Sequence, residues 1–223
     1  MNTEETLRQF VGTVLACFTH EIQNNLATIH EVAGLMEDMI ERGKSIDPAQ
    51  LTRLAAMTDK HVSSALCLIR YLNRYAHRLD EDVCSFCVND ALEELLALTG
   101  RICRQKQVEV RNVPGDRRAT IRSNPILLQS FVFRIVQSIL EATPDDVDGA
   151  AVAIRTRPSG RTALIEITTG ETLRNSSWAS ALPDDEKIQI LLRALGITMT
   201  MSPDKQTVIL QIPSREGTQG EAG

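Results

Sequence analysis

The sequence predicts an α then α+β chain: an antiparallel helical hairpin that forms a dimeric four-helix bundle, followed by a two-layer α/β sandwich. Three observations predict it. Apolar residues in the first third recur in steps of three and four. An acidic break, Asp80-Glu81-Asp82, follows. Beyond it, helical patterns alternate with short apolar runs that flank Pro- and Gly-containing turns. These divide the chain into a helical-hairpin dimerisation unit over 1–80, a sandwich over 84–213 and a disordered tail over 214–223.

The first helix runs from Thr3 to about Glu41, with a stripe of Leu7, Val11, Val14, Phe18, Ile22, Leu26, Ile29, Ala33, Met36 and Ile40. Gly43 is a natural stop. Ser45 and Asp47 precede Pro48, which suits the first position of a second helix ending near Leu79. Its stripe includes Leu51, Leu54, Val62, Ala65, Leu68, Leu72 and Tyr75. Two such helices joined by a short loop lie antiparallel, and a lone hairpin has too little core, so a homodimer is expected.

In the second unit, Val88 to about Gln105 reads as a helix with Asn89 or Asp90 near its cap. Val108–Val113 and Ala119–Arg122 read as strands around Pro114-Gly115-Asp116. Pro125–Thr143 is an apolar helix capped by Asn124. Ala151–Thr156 and Thr162–Thr168 form a hairpin around Pro158-Ser159-Gly160. Asp184–Leu195 is a helix stopped by Gly196, and Ile197–Met201 with Thr207–Ile212 make a last hairpin around Pro203-Asp204-Lys205.

Composition narrows the function. The 223 residues carry a net charge of −5 with no long basic run, which argues against nucleic-acid binding. The acidic N-terminus lacks the pattern of a secretory signal, and the longest apolar stretch, Ile126–Leu140, is broken by Gln129, Ser130, Arg134, Gln137 and Ser138. A cytoplasmic protein away from membranes is expected. Cys17, Cys67, Cys84, Cys87 and Cys103 read as reduced thiols, and Cys84-x-x-Cys87 lacks the further ligands a zinc site needs, so no metal is expected.

His20 lies roughly opposite the Phe18 and Ile22 stripe. Its surroundings, Thr13, Ala16, Cys17, Gln23, Asn24 and Ala27, are small or polar, a shallow surface on which a partner could dock and present a phosphoryl group. Neutral imidazole is a competent nucleophile near neutral pH. Glu21 is a candidate to orient or deprotonate the ring, and Asn24 stands one turn beyond it. His30, His61 and His77 read as surface or helix-packing residues.

The run His20-Glu21-Ile22-Gln23-Asn24-Asn25-Leu26 resembles the phosphoacceptor box of sensor histidine kinases, H-E-I/L-x-N/T-P-L, with Asn25 where that family usually has Pro. The stretch from Asn124 to Thr143 is similar to the kinase N-box helix, keeping its hydrophobic frame and Glu141-Ala142-Thr143. Arg134 and Ser138 stand where the family has the asparagines that hold Mg²⁺ and phosphate, and Arg134 has no lone pair for a metal but can pair with Glu141. The strand Leu164–Ile167 leads into Thr168-Thr169-Gly170-Glu171-Thr172, where the family's D-x-G-x-G is absent; Leu173–Pro183, with Trp178, reads as a shortened lid.

The resemblance implies a degenerate ATPase-like sandwich beside an intact phosphoacceptor, the arrangement of ChpT-like histidine phosphotransferases. His20 would carry a phosphoryl group between aspartates of response-regulator receiver domains in a bacterial two-component phosphorelay. The chain would bind no cofactor, the Mg²⁺ coming with the receiver. The alternatives are a response-regulator phosphatase using Glu21 and Asn24, and a non-enzymatic regulator-binding scaffold. A kinase with an unorthodox ATP site ranks last.

Overall fold

The computed structural model describes residues 2–42, 47–115, 117–144, 149–173 and 177–215. Helix α1 spans Thr3–Glu41 and opens where the Asn2 side chain accepts a hydrogen bond from the Glu5 amide at 2.8 Å. Helix α2 spans Pro48–Arg78, with Asp47 as its cap and Pro48 in the first turn, as the sequence predicts. The expected stop at Gly43, the loop residue Ser45, the turn residue Asp116 and the tail beyond Arg215 lie outside the described residues.

The buried line of α1 is Phe10, Val14, Cys17, Asn25 and Val32, and that of α2 is Leu54, Ala65, Leu68 and Tyr75. This corrects the single stripe expected for α1. Val14 is buried, but Leu26 is 56% exposed and Ile40 is 68% exposed. One chain supplies only one partner helix, which covers one side of an apolar band too wide for it. Ile29, Ala33 and Met36 of α1, with Ala55 and Val62 of α2, therefore line an open groove of about 470 Å³.

Beyond α2 the chain enters a short strand that the sequence reading missed, β1 (Cys84–Cys87), which runs without a loop into helix α3 (Val88–Gln105). The helix cap is Cys87, not Asn89 or Asp90; Asn89 is buried inside the first turn, where its carbonyl accepts a hydrogen bond from Asn112. Strands β2 (Glu109–Pro114) and β3 (Thr120–Ser123) have the predicted type but do not pair with each other. Strand β3 runs antiparallel to β1, while β2 runs parallel to β4 (Ala151–Ser159). The divergence begins at Gly115, where a Cβ would lie 2.6 Å from the Thr156 carbonyl oxygen, so the backbone passes closer to β4 than a side chain permits.

The remaining elements match the sequence expectation closely except α5 (Trp178–Ala181), a helical turn inside the segment expected to be a shortened lid. They are α4 (Pro125–Glu141), β5 (Thr162–Thr169), the one-turn α5, α6 (Glu186–Leu195), β6 (Thr198–Met201) and β7 (Thr207–Pro213). Asn124 accepts from the Leu127 amide to cap α4, and Gly196 closes α6 at φ 65°. The main sheet has the order β2-β4-β5-β7-β6, and burial alternates along β4 and β5. One face of that sheet supports α3, α4 and α6, which makes two layers. The chain is thus a helical hairpin followed by an α/β sandwich.

The hairpin base and the sandwich share one core. Phe10 of α1 meets Tyr75 of α2 edge-on at 6.2 Å and Phe133 of α4 at 5.4 Å. At the end of α2, Arg78 donates through Nε to both carboxylate oxygens of Glu94, at 3.1 and 3.2 Å, and stacks 5.7 Å above the Phe86 ring. Glu94 is 1% exposed and also accepts from Gln129 at 2.9 Å. On the hairpin's other flank Lys187 of α6 donates to Gln9 at 2.9 Å.

Burial pushes the Glu94 carboxyl above its ordinary value, although the Gln129 hydrogen bond and the Arg78 charge pull the other way. A carboxyl raised on folding binds its proton more readily in the native than in the unfolded chain. Its contribution to stability therefore falls as pH rises above the unfolded value of about 4.3. The expected outcome is that wild-type stability, measured by urea unfolding, declines relative to Glu94→Gln between about pH 4 and pH 7. A wild type that gains on the variant across that range would show that the Arg78 attraction outweighs desolvation.

Candidate functional site

Helix α1 leaves the sandwich at the level of His20. Cys17, one turn earlier, is 4% exposed and is influenced by Arg101 and Cys103 of α3. Glu21, one residue later, accepts a hydrogen bond from Arg104 of α3 at 2.7 Å. His20 projects between these contacts and the outward apolar face of the helix. It is exposed and, among the described residues, has no hydrogen-bond partner. Asn24 is likewise exposed one turn further, and its carbonyl also accepts from the Thr28 hydroxyl at 3.1 Å.

Of the expected docking surface, Ala16, Gln23 and Ala27 are exposed and Thr13 is partly so. Cys17 is a correction. It lies on the same side of the helix but turns under α3, so no partner can touch it. Burial pushes its thiol above the ordinary value, and pushes Cys103 up to about 11. Both are inert, protonated thiols at neutral pH. Cys84 and Cys87 sit in β1, three residues apart and so on opposite sides of the strand. Among the described residues no group of three His, Cys, Asp or Glu side chains is placed to hold a metal ion.

The Glu21 carboxylate is where the structure departs most from expectation. Neighbours on a helix point about 100° apart, so residues 20 and 21 do not face one another. Glu21 turns towards the sandwich and gives its charge to Arg104, which leaves the imidazole of His20 unaccompanied. The pair links the turn of α1 that carries His20 to α3 across 83 residues of sequence.

Asn25 and His61 form a contact that sequence reasoning missed. Asn25 is 6% exposed, its Nδ2 donates to the Glu21 carbonyl at 2.9 Å, and its Oδ1 lies 2.9 Å from His61 Nδ1. Only the assignment in which His61 donates and Oδ1 accepts leaves no two donors or two acceptors facing. The signal was available: His61 falls in the inward row of α2, seven residues after Leu54 and four before Ala65.

At the sandwich, Arg134 donates through Nε to Asp185 at 2.6 Å and through Nη1 to Glu141 at 3.0 Å. The Glu141 pairing is the one the sequence suggests; Asp185, the cap of α6, was not foreseen. The hydroxyl of Ser138 is spent on the Arg134 carbonyl at 3.1 Å. Trp178 is 1% exposed and packs in the core with Leu173 and Leu182; residues 174–176 of the expected lid lie outside the described residues.

No family model matches the chain, and no curated protein matches it by sequence. Solved structures do. The catalytic domain of the histidine kinase ThkA in a nucleotide-free form is similar at 13% identity and a TM-score of 0.47, covering 60% of this chain and 98% of that one. The Acinetobacter baumannii histidine kinase AdeS is similar at 11% identity and a TM-score of 0.44, covering 85% and 96%. ThkA in complex with the response regulator TrrA is similar at 14% identity and a TM-score of 0.46, covering 95% and 65%.

The Arg104 side chain is 63% exposed, so its ion pair with Glu21 is well solvated and adds little stability. Arg104→Ala is expected to change the unfolding free energy by less than about 1 kcal/mol in urea titration. A larger loss would mean that this pair holds hairpin and sandwich together.

Proposed function

We propose that the protein is a histidine phosphotransferase of a bacterial two-component phosphorelay, with His20 as the phosphoryl carrier. The observation that carries the reading is His20 itself: an exposed imidazole, without a hydrogen-bond partner among the described residues, in a box that resembles a histidine-kinase phosphoacceptor, at the point where α1 emerges from the sandwich. The lone pair of a neutral ring nitrogen attacks the phosphorus of a receiver's aspartyl phosphate. An N–P bond forms as the P–O bond breaks, the aspartate leaves as its carboxylate, and solvent takes the proton left on the other ring nitrogen. The return step reverses this onto a second receiver. The Mg²⁺ that offsets phosphoryl charge belongs to the receiver.

Three features favour a sandwich that works without nucleotide. Arg134 brings a cation to the N-box position and is held there by Asp185 and Glu141. Ser138 points its hydroxyl back into its own helix. Trp178 fills core space below the segment where the resembling kinases carry their glycine-rich lid. These residues do not fit Mg²⁺–ATP, and the sandwich acts instead as a wall against which a receiver docks beside Ala16, Gln23 and Ala27.

The apolar face left open along Leu26, Ile29, Ala33, Leu66 and Ile69 suits a second copy of the same hairpin, completing a four-helix bundle. Ile69 is 50% exposed. Ile69→Glu is expected to convert a two-chain species to one chain in analytical ultracentrifugation. A wild type that sediments as one chain at every concentration would refute the bundle.

Purified protein incubated with radiolabelled phospho-receivers is expected to gain label in the wild type and in Asn24→Ala but not in His20→Ala, with none from ATP alone. Label from ATP would overturn the nucleotide-free sandwich. Loss of receiver label that persists in His20→Ala and stops in Asn24→Ala would replace phosphotransfer with the phosphatase reading.

A further inference from the structure

An α-helix carries one hydrogen bond from the amide of residue 25 to the carbonyl of residue 21. Here that carbonyl receives a second donor, the Asn25 side-chain amide, at 2.9 Å. The same amide accepts from His61 at 2.9 Å, so a ring on α2 is linked through one side chain to the backbone beside His20. The contact is polar in a row that is otherwise apolar or small: Val14 and Val32 on α1, Leu54, Ala65 and Leu68 on α2.

A polar pair in such a row adds less stability than leucines of similar size would. What it adds is register. Leucines can interdigitate at several axial offsets, whereas one buried amide is satisfied at only one, as a single buried Asn shows in coiled coils. The two long helices of this hairpin are covered by the sandwich at their base only. Above Glu21, α1 runs against α2, and the Asn25–His61 bond lies at the start of that span.

We propose that Asn25 and His61 are positioning residues for His20: they pin α1 against α2 so that the imidazole meets a docked phospho-aspartate in line. This deepens the phosphotransferase reading and rests on it. His61 donates to Asn25 through the proton on Nδ1, the ring nitrogen 2.9 Å from Oδ1. Transfer chemistry is mostly positioning, and a misplacement of about 1 Å can cost about a hundredfold in rate.

The test compares wild type, the double variant Asn25→Leu/His61→Leu and the single variant His61→Gln, whose amide N–H can still donate to Asn25. Label arrival on His20 is measured against phospho-receiver concentration, and amide hydrogen exchange is followed over the segment 18–28. The double variant is expected to melt at or above the wild-type temperature. Its limiting transfer rate is expected to fall about tenfold or more, with the half-saturating receiver concentration unchanged and faster exchange in that segment. His61→Gln is expected to stay near wild type in both readouts.

Wild-type transfer and exchange in the double variant would overturn the proposal, as would a His61→Gln variant as impaired as the double one. Should the double variant not fold, His61→Leu against His61→Gln makes the same comparison. A wild type that takes no phosphoryl group refutes the function reading instead. The exchange measurement then decides the pin alone: faster exchange in the leucine variants supports it and unchanged exchange overturns it.

Discussion

Arg78 and Glu94 meet where the second long helix ends and the sandwich begins, and the arrangement of the two halves depends on their contact. A carboxylate that is 1% exposed needs a partner, because an unpaired buried charge costs several kcal/mol. Gln129 supplies one hydrogen bond and Arg78 supplies the charge, and the Arg78 guanidinium lies over Phe86 at the same time. With α2 fixed at that point, Tyr75 is carried onto Phe10, and Phe10 onto Phe133. The base of α1 is thereby seated on α3, α4 and α6, and His20 emerges at the rim of that seat.

Helix α1 serves three neighbours on three sides. Its inward side is closed by α2 and, near the base, by α3. A second side, with Leu26 and Ile40, is apolar and open. The third carries His20, Asn24 and Ala27 and meets solvent. In the proposed transfer, the side carrying His20 would depend on how firmly the remaining sides hold the helix. That is why a hydrogen bond between Asn25 and His61, on the side facing away from the chemistry, bears on where the imidazole points.

Most elements were legible in the sequence because each had a local cause: Asn124 caps α4, Gly196 ends α6, and alternation marks β4 and β5. The errors came from long-range competition. Strands β2 and β3 look like a hairpin around Gly115, yet each finds a better partner far along the chain, and β1 is too short to show a period. The stripe of α1 gave the apolar arc but not which part of it one chain covers. At the candidate site, periodicity placed His20, Asn24 and their exposed neighbours in solvent. It could not show that Glu21 turns to Arg104, that Cys17 lies under α3, or that His61 faces Asn25. Those depend on what other helices bring to the same place.

The shared aromatic cluster at the hairpin base has an evolutionary consequence. Hairpins and sandwiches that meet only through a linker can be shuffled, each half recombining with new partners at the junction. Here the acidic stretch 80–82 looks like such a junction, but Phe10, Val14 and Tyr75 have become part of the sandwich's own interior. A crossover at that stretch would strand these side chains in water and open a hole beside Phe133. Exchanging either half alone would therefore call for matching substitutions across the seam.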